Sequence, residues 1–266
     1  MSSGRRVWIT GVSSGIGAAT AKALAQQGWR VAGTARRQEP LERLAAELPG
    51  DGHLLRTADV REDGDLQAVA QEIAAEFGGL DLMVANAGVG YRAKVEEFEL
   101  DPLRAVLDTN VLGVLLTCRA ALPLLRTGER PVCVLVSSVV GRRGIPGQSA
   151  YAASKAAVCS IGEALRIEWA PDEIEVCTLN PALTATGFFD AQPNPASLPD
   201  PDMRESAQPL DVAQAILALS ERPRPEVHLR WKWRVLGAIN ALAPSLADRL
   251  LVKRLGGGWR APLGRR

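Results

Sequence analysis

Short apolar runs alternate along this chain with longer segments in which apolar residues recur every three or four positions. The short runs predict strands, several of them apolar at nearly every position, as expected for burial on both faces of a parallel sheet. The longer segments predict amphipathic helices. Strands are predicted over residues 7–10, 29–35, 53–57, 80–85, 131–137 and 174–179, and helices over residues 16–27, 40–48, 63–77, 102–125 and 149–170. The alternation predicts an α/β fold, a doubly wound parallel sheet of Rossmann type with helices on both faces.

Two segments interrupt this alternation. The first, residues 187–209, contains five prolines and no clear period, and we call it the lid. It leaves the carboxyl end of a predicted strand, where such sheets bind ligands. The segment is therefore interpreted as a mobile loop that covers a binding site. A tolerated surface insertion is the alternative. The second segment, residues 231–266, we call the tail; residues 1–230 are then expected to form one domain, with 226–231 as a candidate last strand.

The tail shows two helical patterns separated by a proline. Apolar residues recur at helical spacing from Val235 until Pro244 interrupts them. Ser245, with Asp248 three positions later, forms a capping-box pattern that predicts a second helix, which Gly256–Gly258 would end. The tail therefore predicts a helical extension of the domain.

Charge is unevenly distributed, although the whole chain carries a net charge of only +1. Residues 222–266 hold eleven Lys or Arg and two acids, whereas the first 221 residues hold 20 basic and 28 acidic side chains. The near-neutral total argues against a nucleic-acid partner. The basic tail, with Trp231, Trp233 and Trp259, fits a segment that lies on an anionic membrane. The alternative is a helical pair that packs over a ligand pocket or a neighbouring subunit, and both interpretations favour an apolar ligand.

The sparse reactive side chains indicate a reducing compartment and no metal site. The four cysteines are scattered among apolar or small neighbours without a C-x-x-C pair, which is typical of buried free thiols. The two histidines, His53 and His228, are far apart in the sequence. We expect no signal peptide, and no apolar run near the ~20 residues of a membrane span. The expectation is a cytoplasmic protein, with peripheral membrane contact through the tail left open.

A glycine-rich turn joins the first predicted strand to the first helix, with the spacing G-x-x-x-G-x-G over residues 11–17. Glycines let the backbone approach a pyrophosphate, and the free N–H groups and positive end of the following helix attract it. The turn therefore predicts a dinucleotide site. The residues expected to bind there are Gly11, Ser13, Ser14, Gly15, Ile16 and Gly17.

Arg36 and Arg37 follow the second predicted strand, where the adenosine ribose of a dinucleotide is expected. An acid at this place would bind the 2′-hydroxyl of NAD, whereas two guanidiniums suit a 2′-phosphate through their forked donors. The pair therefore predicts NADP(H) as the cofactor. A solvated helix start is the alternative, since no basic residue lies within the glycine-rich turn itself.

Tyr151 and Lys155 are four positions apart on a predicted helix, so they share one face. A cation beside a phenol favours the phenolate and lowers the tyrosine pKa from its usual ~10. Next to a bound hydride carrier, the pair predicts a proton relay. On its own this spacing is more often that of a solvated helix face, so the prediction depends on the glycine-rich turn.

Seven motifs, in order, resemble those of the short-chain dehydrogenase/reductase family over residues 7–219. They are Thr10-Gly-x-x-x-Gly-x-Gly17, Asp59-Val60, Asn86-Ala87-Gly88, Asn110-Val-x-Gly113, Ser137-Ser138, Tyr151-x-x-x-Lys155 and Asn180-Pro181. The chain departs from the family at Ala182, because Asn-Pro is usually followed there by glycine.

The resemblance implies roles for the catalytic residues. Tyr151 would exchange a proton with the substrate oxygen, and Lys155 would hold the nicotinamide ribose hydroxyls and favour the phenolate. Ser138, thirteen positions before Tyr151, would hydrogen-bond the substrate oxygen, with Ser137 as the weaker candidate. Asn110 would bend its helix and hold a water that links Lys155 to solvent.

The resemblance also implies contacts with the cofactor. Asp59 and Val60 would contact the adenine, and Asn86 would stabilise the sheet near the adenine ribose. Thr184 or Thr186 would contact the nicotinamide carboxamide. The remaining cofactor-binding residues implied are Ala87, Gly88, Pro181, Tyr151 and Lys155.

An NADPH-dependent oxidoreductase follows from this resemblance, interconverting a ketone and a secondary alcohol by hydride transfer, with Tyr151 as general acid/base and a hydrophobic substrate. A 3-oxoacyl-thioester (acyl-carrier-protein) reductase is the alternative of the same class. A non-catalytic NADP-binding regulatory protein or a membrane-surface protein is the alternative of another class. Regulatory relatives commonly lose the Tyr or the Lys, and this chain keeps both. We expect a homodimer through the helices after the fourth and fifth strands, with a tetramer as the alternative.

Overall fold

One sheet of seven strands organises the computed structural model, which describes residues 4–189, 191–195, 197–200, 202–255 and 260. The strands are all parallel and lie in the order β3-β2-β1-β4-β5-β6-β7. They are β1 Arg6–Thr10, β2 Arg30–Ala35, β3 Leu54–Thr57, β4 Leu82–Ala85, β5 Val132–Val136, β6 Glu175–Asn180 and β7 Glu226–His228. The helices are α1 Gly15–Gln26, α2 Gln38–Glu47, α3 Asp63–Phe77, α4 Leu100–Leu107, α5 Gly113–Leu125, α6 Ser149–Glu168, α7 Pro209–Glu221, α8 Trp231–Leu242 and α9 Pro244–Leu255. The predicted doubly wound parallel sheet is confirmed.

Helices cover both faces of the sheet because its central strands are apolar on both sides. Trp8, Met83 and Cys133 are buried in a cluster on one face with residues of α3, α5 and α6. Their sequence neighbours Ile9 and Val84 are buried in a second cluster with residues of α1, α2 and α7. This alternation is that of adjacent residues in a strand, whose side chains point to opposite faces.

The carboxyl ends of β1 and β4 meet at the point where the order of strands reverses. From β1, the chain adds β2 and β3 on one side and then crosses to place β4 and its successors on the other. A crevice opens at such a switch point, and ligands of doubly wound sheets bind there. The glycine-rich turn follows β1 and Asn86 follows β4, so both lie at this crevice.

The helix predicted over residues 102–125 is divided by a wider turn. Asp108–Leu112 form a π-helical turn between α4 and α5, and Asn110 lies at its centre. The run from Leu100 to Leu125 is long enough for a membrane-spanning helix, and an 18-residue window within it has a mean hydropathy of 1.5. The expectation that no run approaches that length is therefore wrong here. Half of its most apolar window is nevertheless buried inside the protein, as in a core helix.

α7 lies where no helix is predicted from the sequence. Its buried residues Val212, Ala213 and Ile216 have helical spacing, and Pro209 occupies its first turn, where a missing N–H costs nothing. The helix follows the prolines of the lid directly, and Pro209 belongs to both segments. The prolines of the lid usually interrupt helices, and for this reason the start of α7 was not predicted from the sequence.

The tail forms two helices, as the sequence predicts, with shifted boundaries. α8 already begins at Trp231, so β7 is shorter than the predicted strand over 226–231. α9 begins at Pro244, one residue before the predicted cap. The predicted helix stop at Gly256–Gly258, together with Trp259, lies outside the described residues, as do positions 190, 196 and 201 of the lid.

Candidate active site

The glycine-rich turn packs so closely against the loop after β4 that larger residues could not replace its glycines. Gly11 and Gly15 have φ angles of +75° and +56°, a region that favours glycine. A Cβ atom at Gly11 would lie 2.8 Å from Ala87 Cα, and one at Gly17 would lie 2.2 Å from the Gly11 carbonyl oxygen. Ser14 precedes α1 without a side-chain cap, which leaves the helix N–H groups available to an anion. This cradle fits the pyrophosphate of a dinucleotide.

Asn86 fastens the two loops to each other. Its Nδ2 donates to the carbonyl oxygens of Thr10 at 2.9 Å and Gly11 at 3.2 Å. In return, Thr10 Oγ1 accepts the backbone N–H groups of Asn86 and Ala87, each at 3.1 Å. Asn86 therefore fixes the position of the glycine-rich turn through hydrogen bonds to its backbone. A Cβ at Gly88 would lie 3.2 Å from Asn110 Oδ1, so this loop also packs tightly on the π turn.

The residues expected near the adenosine occupy the ends of β2 and β3. Arg36 and Arg37 are exposed directly after β2. The Asp59 carboxylate pairs with Arg61, which lowers the pKa of Asp59, and Arg36 lowers it further. Val60 is buried, with its methyl groups close to Gly113 on α5. The exposed cations at this edge suit a phosphate, whereas the nearby carboxylate already has a partner.

α6 places Tyr151 and Lys155 one turn apart at the carboxyl edge of β5. Lys155 Nζ lies 5.9 Å from the centre of the Tyr151 ring and donates a 3.0 Å hydrogen bond to the Val136 carbonyl oxygen. Ser138 Oγ accepts the Val140 N–H at 3.4 Å and is hydrogen-bonded to the Tyr151 hydroxyl. A phenol, a hydroxyl and an ammonium thus converge at one place.

Burial is the main cause of the pKa shifts of both Tyr151 and Lys155, contrary to the expectation from the sequence. Burial raises the pKa of Tyr151 to about 12, and the hydrogen bond with Ser138 opposes that shift. Burial lowers the pKa of Lys155 to about 8, with Cys159 opposing. The expected acidification of the phenol by the lysine is therefore wrong for the chain without its cofactor. Tyr151 remains protonated at neutral pH, which is the state a proton donor requires.

Asn110 is fully buried and binds the loop that follows β4. Its Oδ1 accepts the Val89 N–H at 2.8 Å, while its Nδ2 donates to the Val89 carbonyl oxygen at 2.9 Å and to Ser154 Oγ at 3.0 Å. Because Ser154 directly precedes Lys155, this amide links the π turn to α6 next to the lysine.

The two adjacent serines have different surroundings. Ser137 Oγ donates to the Lys155 carbonyl oxygen at 2.8 Å and contacts Cys159 Sγ at 3.2 Å. Its hydroxyl is therefore used within the core. Ser138 instead faces Tyr151, so the structure brings together the serine that the spacing favours and the tyrosine.

Pro181 and the residues after it form the wall next to the glycine-rich turn. Ala182 stands where the family usually has glycine, and its backbone lies outside the left-handed region, so alanine causes no strain there. Thr184 Oγ1 donates to the Ala182 carbonyl oxygen at 3.0 Å. A Cβ at Gly15 would lie 3.0 Å from Thr186 Cγ2. Thr186 is thus the threonine that borders the cradle.

The lid lies across the site and is held by a buried arginine that the sequence analysis did not single out. Phe188 packs on Tyr151 with ring centres 5.7 Å apart. Arg92, with 5% of its side chain exposed, donates to the carbonyl oxygens of Leu198 at 3.0 Å and Pro199, and pairs with Asp200 at 3.1 Å. No periodic signal marks Arg92, because its partners lie more than 100 positions away.

The tail packs beside the site. Trp233 on α8 packs against the buried cluster of Val139, Val140 and Ala152, and Tyr151 packs against the same cluster. Arg143, which follows the Ser138 turn, donates to Asn240 Oδ1 on α8 at 2.6 Å and pairs with Asp248 on α9. The tail is therefore docked onto the loop that follows Ser138.

Fold and site together define a nicotinamide-dependent oxidoreductase of Rossmann type. The model of the family described as short chain dehydrogenase matches residues 5–195. The chain belongs to this family, as the sequence motifs predict.

Individual relatives agree with this assignment. An uncharacterized oxidoreductase of Mycobacterium tuberculosis is 34% identical over 250 residues, covering 92% of this chain and 96% of the relative. The structure of an alcohol dehydrogenase from the archaeon Thermococcus sibiricus, complexed with 5-hydroxy-NADP, has a TM-score of 0.76 and 30% identity, covering 85% of this chain and 96% of that one. A 3-ketoacyl-(acyl-carrier-protein) reductase from Brucella melitensis, complexed with NADH, has a TM-score of 0.74 and 31% identity, covering 85% and 97%. The predicted class of cofactor, a nicotinamide dinucleotide, is confirmed.

Proposed function

We propose that this protein is an NADP(H)-dependent oxidoreductase that interconverts a ketone and a secondary alcohol on a fairly hydrophobic substrate. One observation carries the proposal: the Tyr151 hydroxyl is hydrogen-bonded to Ser138, and the Tyr151 ring lies close to Lys155, against Phe188 of the lid and on the same apolar cluster as Trp233 of the tail. A non-catalytic binding protein has no need for this convergence.

In the direction of reduction, a bound nicotinamide would supply hydride to the carbonyl carbon. Negative charge then develops on the substrate oxygen. Ser138 and Tyr151 donate hydrogen bonds to that oxygen where the charge forms, which stabilises the transition state. Tyr151 transfers its proton as general acid and regains one through Lys155, with Asn110 positioning the backbone before that lysine. Oxidation runs through the same groups in reverse.

The preference for NADP(H) rests on the exposed pair Arg36 and Arg37. Their forked donors suit the 2′-phosphate, and no carboxylate occupies the end of β2. The two solved relatives carry an NADP derivative and NADH respectively, so the family resemblance alone leaves the choice between the two dinucleotides open. Gly11, Ser13, Ser14, Gly15, Ile16 and Gly17 would hold the pyrophosphate.

Apolar side chains around the reacting oxygen support a hydrophobic substrate. Phe188 and Phe189 of the lid are in edge contact, with ring centres 5.5 Å apart, and Phe188 reaches Tyr151. Trp233 and Tyr151 both pack against the apolar cluster that includes Val140. A 3-oxoacyl-thioester substrate is the second candidate, supported by the similarity to the Brucella reductase.

We further propose a homodimer in the cytoplasm. Leu112, Leu115 and Ile167 are exposed on the helices that follow the fourth and fifth strands, which provides an apolar face for a symmetric interface. All four cysteines are buried free thiols, as suits a reducing compartment. Light scattering after gel filtration would measure the dimer; a monomeric mass would contradict it.

The decisive experiment is a screen of NADPH oxidation over ketones graded by size and apolarity, repeated with NADH and with a 3-oxoacyl thioester. We expect the highest kcat/KM for large apolar ketones with NADPH. Tyr151→Phe should abolish turnover and leave NADPH binding nearly unchanged. Turnover that survives in Tyr151→Phe, or activity confined to the thioester, would overturn the respective part of the proposal.

A further inference from the structure

The outer face of the tail exposes large apolar side chains in a regular stripe. Trp231, Val235 and Leu242 on α8 are exposed, Trp231 by 70% and Leu242 by 88%. Their spacings of four and seven residues place all three on one side of the helix. Leu246 and Leu250, four residues apart on α9, are exposed as well. Such residues normally lie buried, so this surface requires an apolar environment.

The charge around this stripe is positive because the acids of the segment face the body of the protein. Asp248 pairs with Arg143. Glu226 accepts hydrogen bonds from His228 and Arg142, which lower its pKa to about 2, so it stays ionised and paired. The exposed basic side chains beside the stripe are Lys232, Arg234, Arg249 and Lys253.

We propose that the outer face of α8 and α9 binds the surface of an anionic lipid membrane. An apolar stripe flanked by lysine and arginine is the surface that lies in the headgroup region of such membranes. Each helix has only 12 residues, roughly 18 Å, against the ~30 Å of a bilayer core, so the tail lies on the membrane and does not span it.

Other occupants fit this surface less well. A second copy of the same face would bring like charges together, and the chain already offers exposed apolar side chains for pairing at Leu112, Leu115 and Ile167. Nucleic acid would match the charge but not the apolar stripe. Anionic lipid satisfies both features.

Membrane docking would place the catalytic pocket next to the bilayer, and this part of the inference rests on the proposed function. Trp231 faces outward, whereas Trp233, two residues later, packs against the buried cluster of Val139, Val140 and Ala152, on which Tyr151 also packs. The same helix would therefore contact lipid on one side and border the candidate site on the other. A lipophilic ketone dissolved in the membrane would enter from the tail side.

The test is co-sedimentation of the full chain with vesicles of phosphatidylcholine, with and without phosphatidylglycerol. We expect binding to the anionic vesicles that weakens with salt. The combined substitutions Trp231→Ser, Val235→Ser and Leu242→Ser should reduce the partition coefficient at least about tenfold. Val95→Ser, at an exposed valine far from the tail in sequence, is the matched control and should bind as the parent protein does.

A second variant tests the electrostatic contribution to membrane binding independently of the apolar stripe. Arg234→Glu, Arg249→Glu and Lys253→Glu together should abolish the preference for phosphatidylglycerol. Equal binding of parent and variants to vesicles overturns the docking proposal, and so does a stripe variant that loses only self-association in light scattering. Turnover of a small water-soluble ketone should stay unchanged in every variant. If that turnover is absent from the parent protein as well, the proposed function fails while the docking result stands.

Discussion

Lys155 Nζ lies 5.9 Å from the centre of the Tyr151 ring, while its hydrogen bond goes to the Val136 carbonyl oxygen. The cation is therefore near the phenol but does not lower its pKa; burial dominates and raises that pKa to about 12. Because the oxidised nicotinamide carries positive charge, its binding is expected to favour the phenolate. The bound cofactor would then set the working pKa of Tyr151.

The phenolate of Tyr151 can be titrated almost in isolation. The chain has two tyrosines, and Tyr151→Phe leaves only Tyr91. Without cofactor, near-ultraviolet absorbance should show the Tyr151 phenolate forming near pH 12. With saturating NADP⁺, the transition should move to lower pH, and the rate of alcohol oxidation should rise through the same pH range. A transition already near neutral pH in the cofactor-free protein would contradict this account.

Replacing the buried lysine should stabilise the protein while removing its activity. Burial lowers the pKa of Lys155 from 10.5 to about 8, so at pH 7 the folded state holds a charge that the unfolded state solvates better. Lys155→Met should therefore raise the free energy of unfolding at pH 7 by on the order of 1–3 kcal/mol. Urea unfolding would measure this change.

The gain from Lys155→Met also has a predicted pH dependence. Between pH 8 and 10.5 the unfolded state binds more protons than the folded state, so the parent protein gains stability as the pH rises through this window. The advantage of the variant should shrink accordingly by pH 10.5. Lys22→Met, at a lysine on the surface of α1, is the control and should change stability little at any pH. A gain that is independent of pH would argue against the titration as its cause.

Removing the two arginines after β2 should change the cofactor preference. Arg36→Ala combined with Arg37→Ala should raise the KM for NADPH roughly 10- to 100-fold, because charge-assisted hydrogen bonds to the 2′-phosphate are lost. The KM for NADH should change much less. Arg43→Ala, at an exposed arginine on α2, serves as the control and should leave both values intact. Equal increases in the KM values for NADPH and NADH would show that Arg36 and Arg37 do not recognise the 2′-phosphate.

Arg92 is a positioning residue for the lid. Arg92→Lys keeps the charge beside Asp200 but loses the forked donors to the Leu198 and Pro199 carbonyl oxygens. Amide hydrogen exchange should quicken at residues 194, 197, 198 and 200, and the substrate KM should rise several-fold at a nearly unchanged kcat.

Two comparisons separate this role from a general loss of stability. Asp200→Asn should have little effect, because Asp200 is 90% exposed and such ion pairs contribute little. NADPH binding should also stay intact in Arg92→Lys. Uniformly faster exchange across the whole chain would instead indicate global destabilisation.

Trp233 should determine how well the pocket accepts apolar substrates. Trp233→Ala should lower kcat/KM about tenfold or more for a large lipophilic ketone, because buried contact area is lost, and much less for a small ketone. Trp231→Ala provides the matched control in a soluble assay, since Trp231 faces outward. Deletion of the chain after Arg230 should resemble Trp233→Ala. Equal losses for both substrates would exclude this role.

Local patterns were sufficient to predict the sheet and the family to which the chain belongs. Strand and helix periods depend on near neighbours, which is why α3 was predicted with its observed limits, Asp63–Phe77. Glycines 11, 15 and 17 and the pair Tyr151 and Lys155 are likewise marked by short spacings. The missed α7 shows the limit of this approach, because the lid prolines concealed its start.

Tertiary structure alone decided which distant groups surround the reacting oxygen and which protonation states they prefer. Arg92 and Leu198 are 106 positions apart, and Arg143 meets Asp248 at a separation of 105. No periodicity encodes such pairs. The sequence determined that a phenol and an ammonium share a helix face; only their burial, a property of the complete packing, determined that both are held toward their neutral forms. Desolvation depends on everything that surrounds a group, and spacing along the chain does not report it.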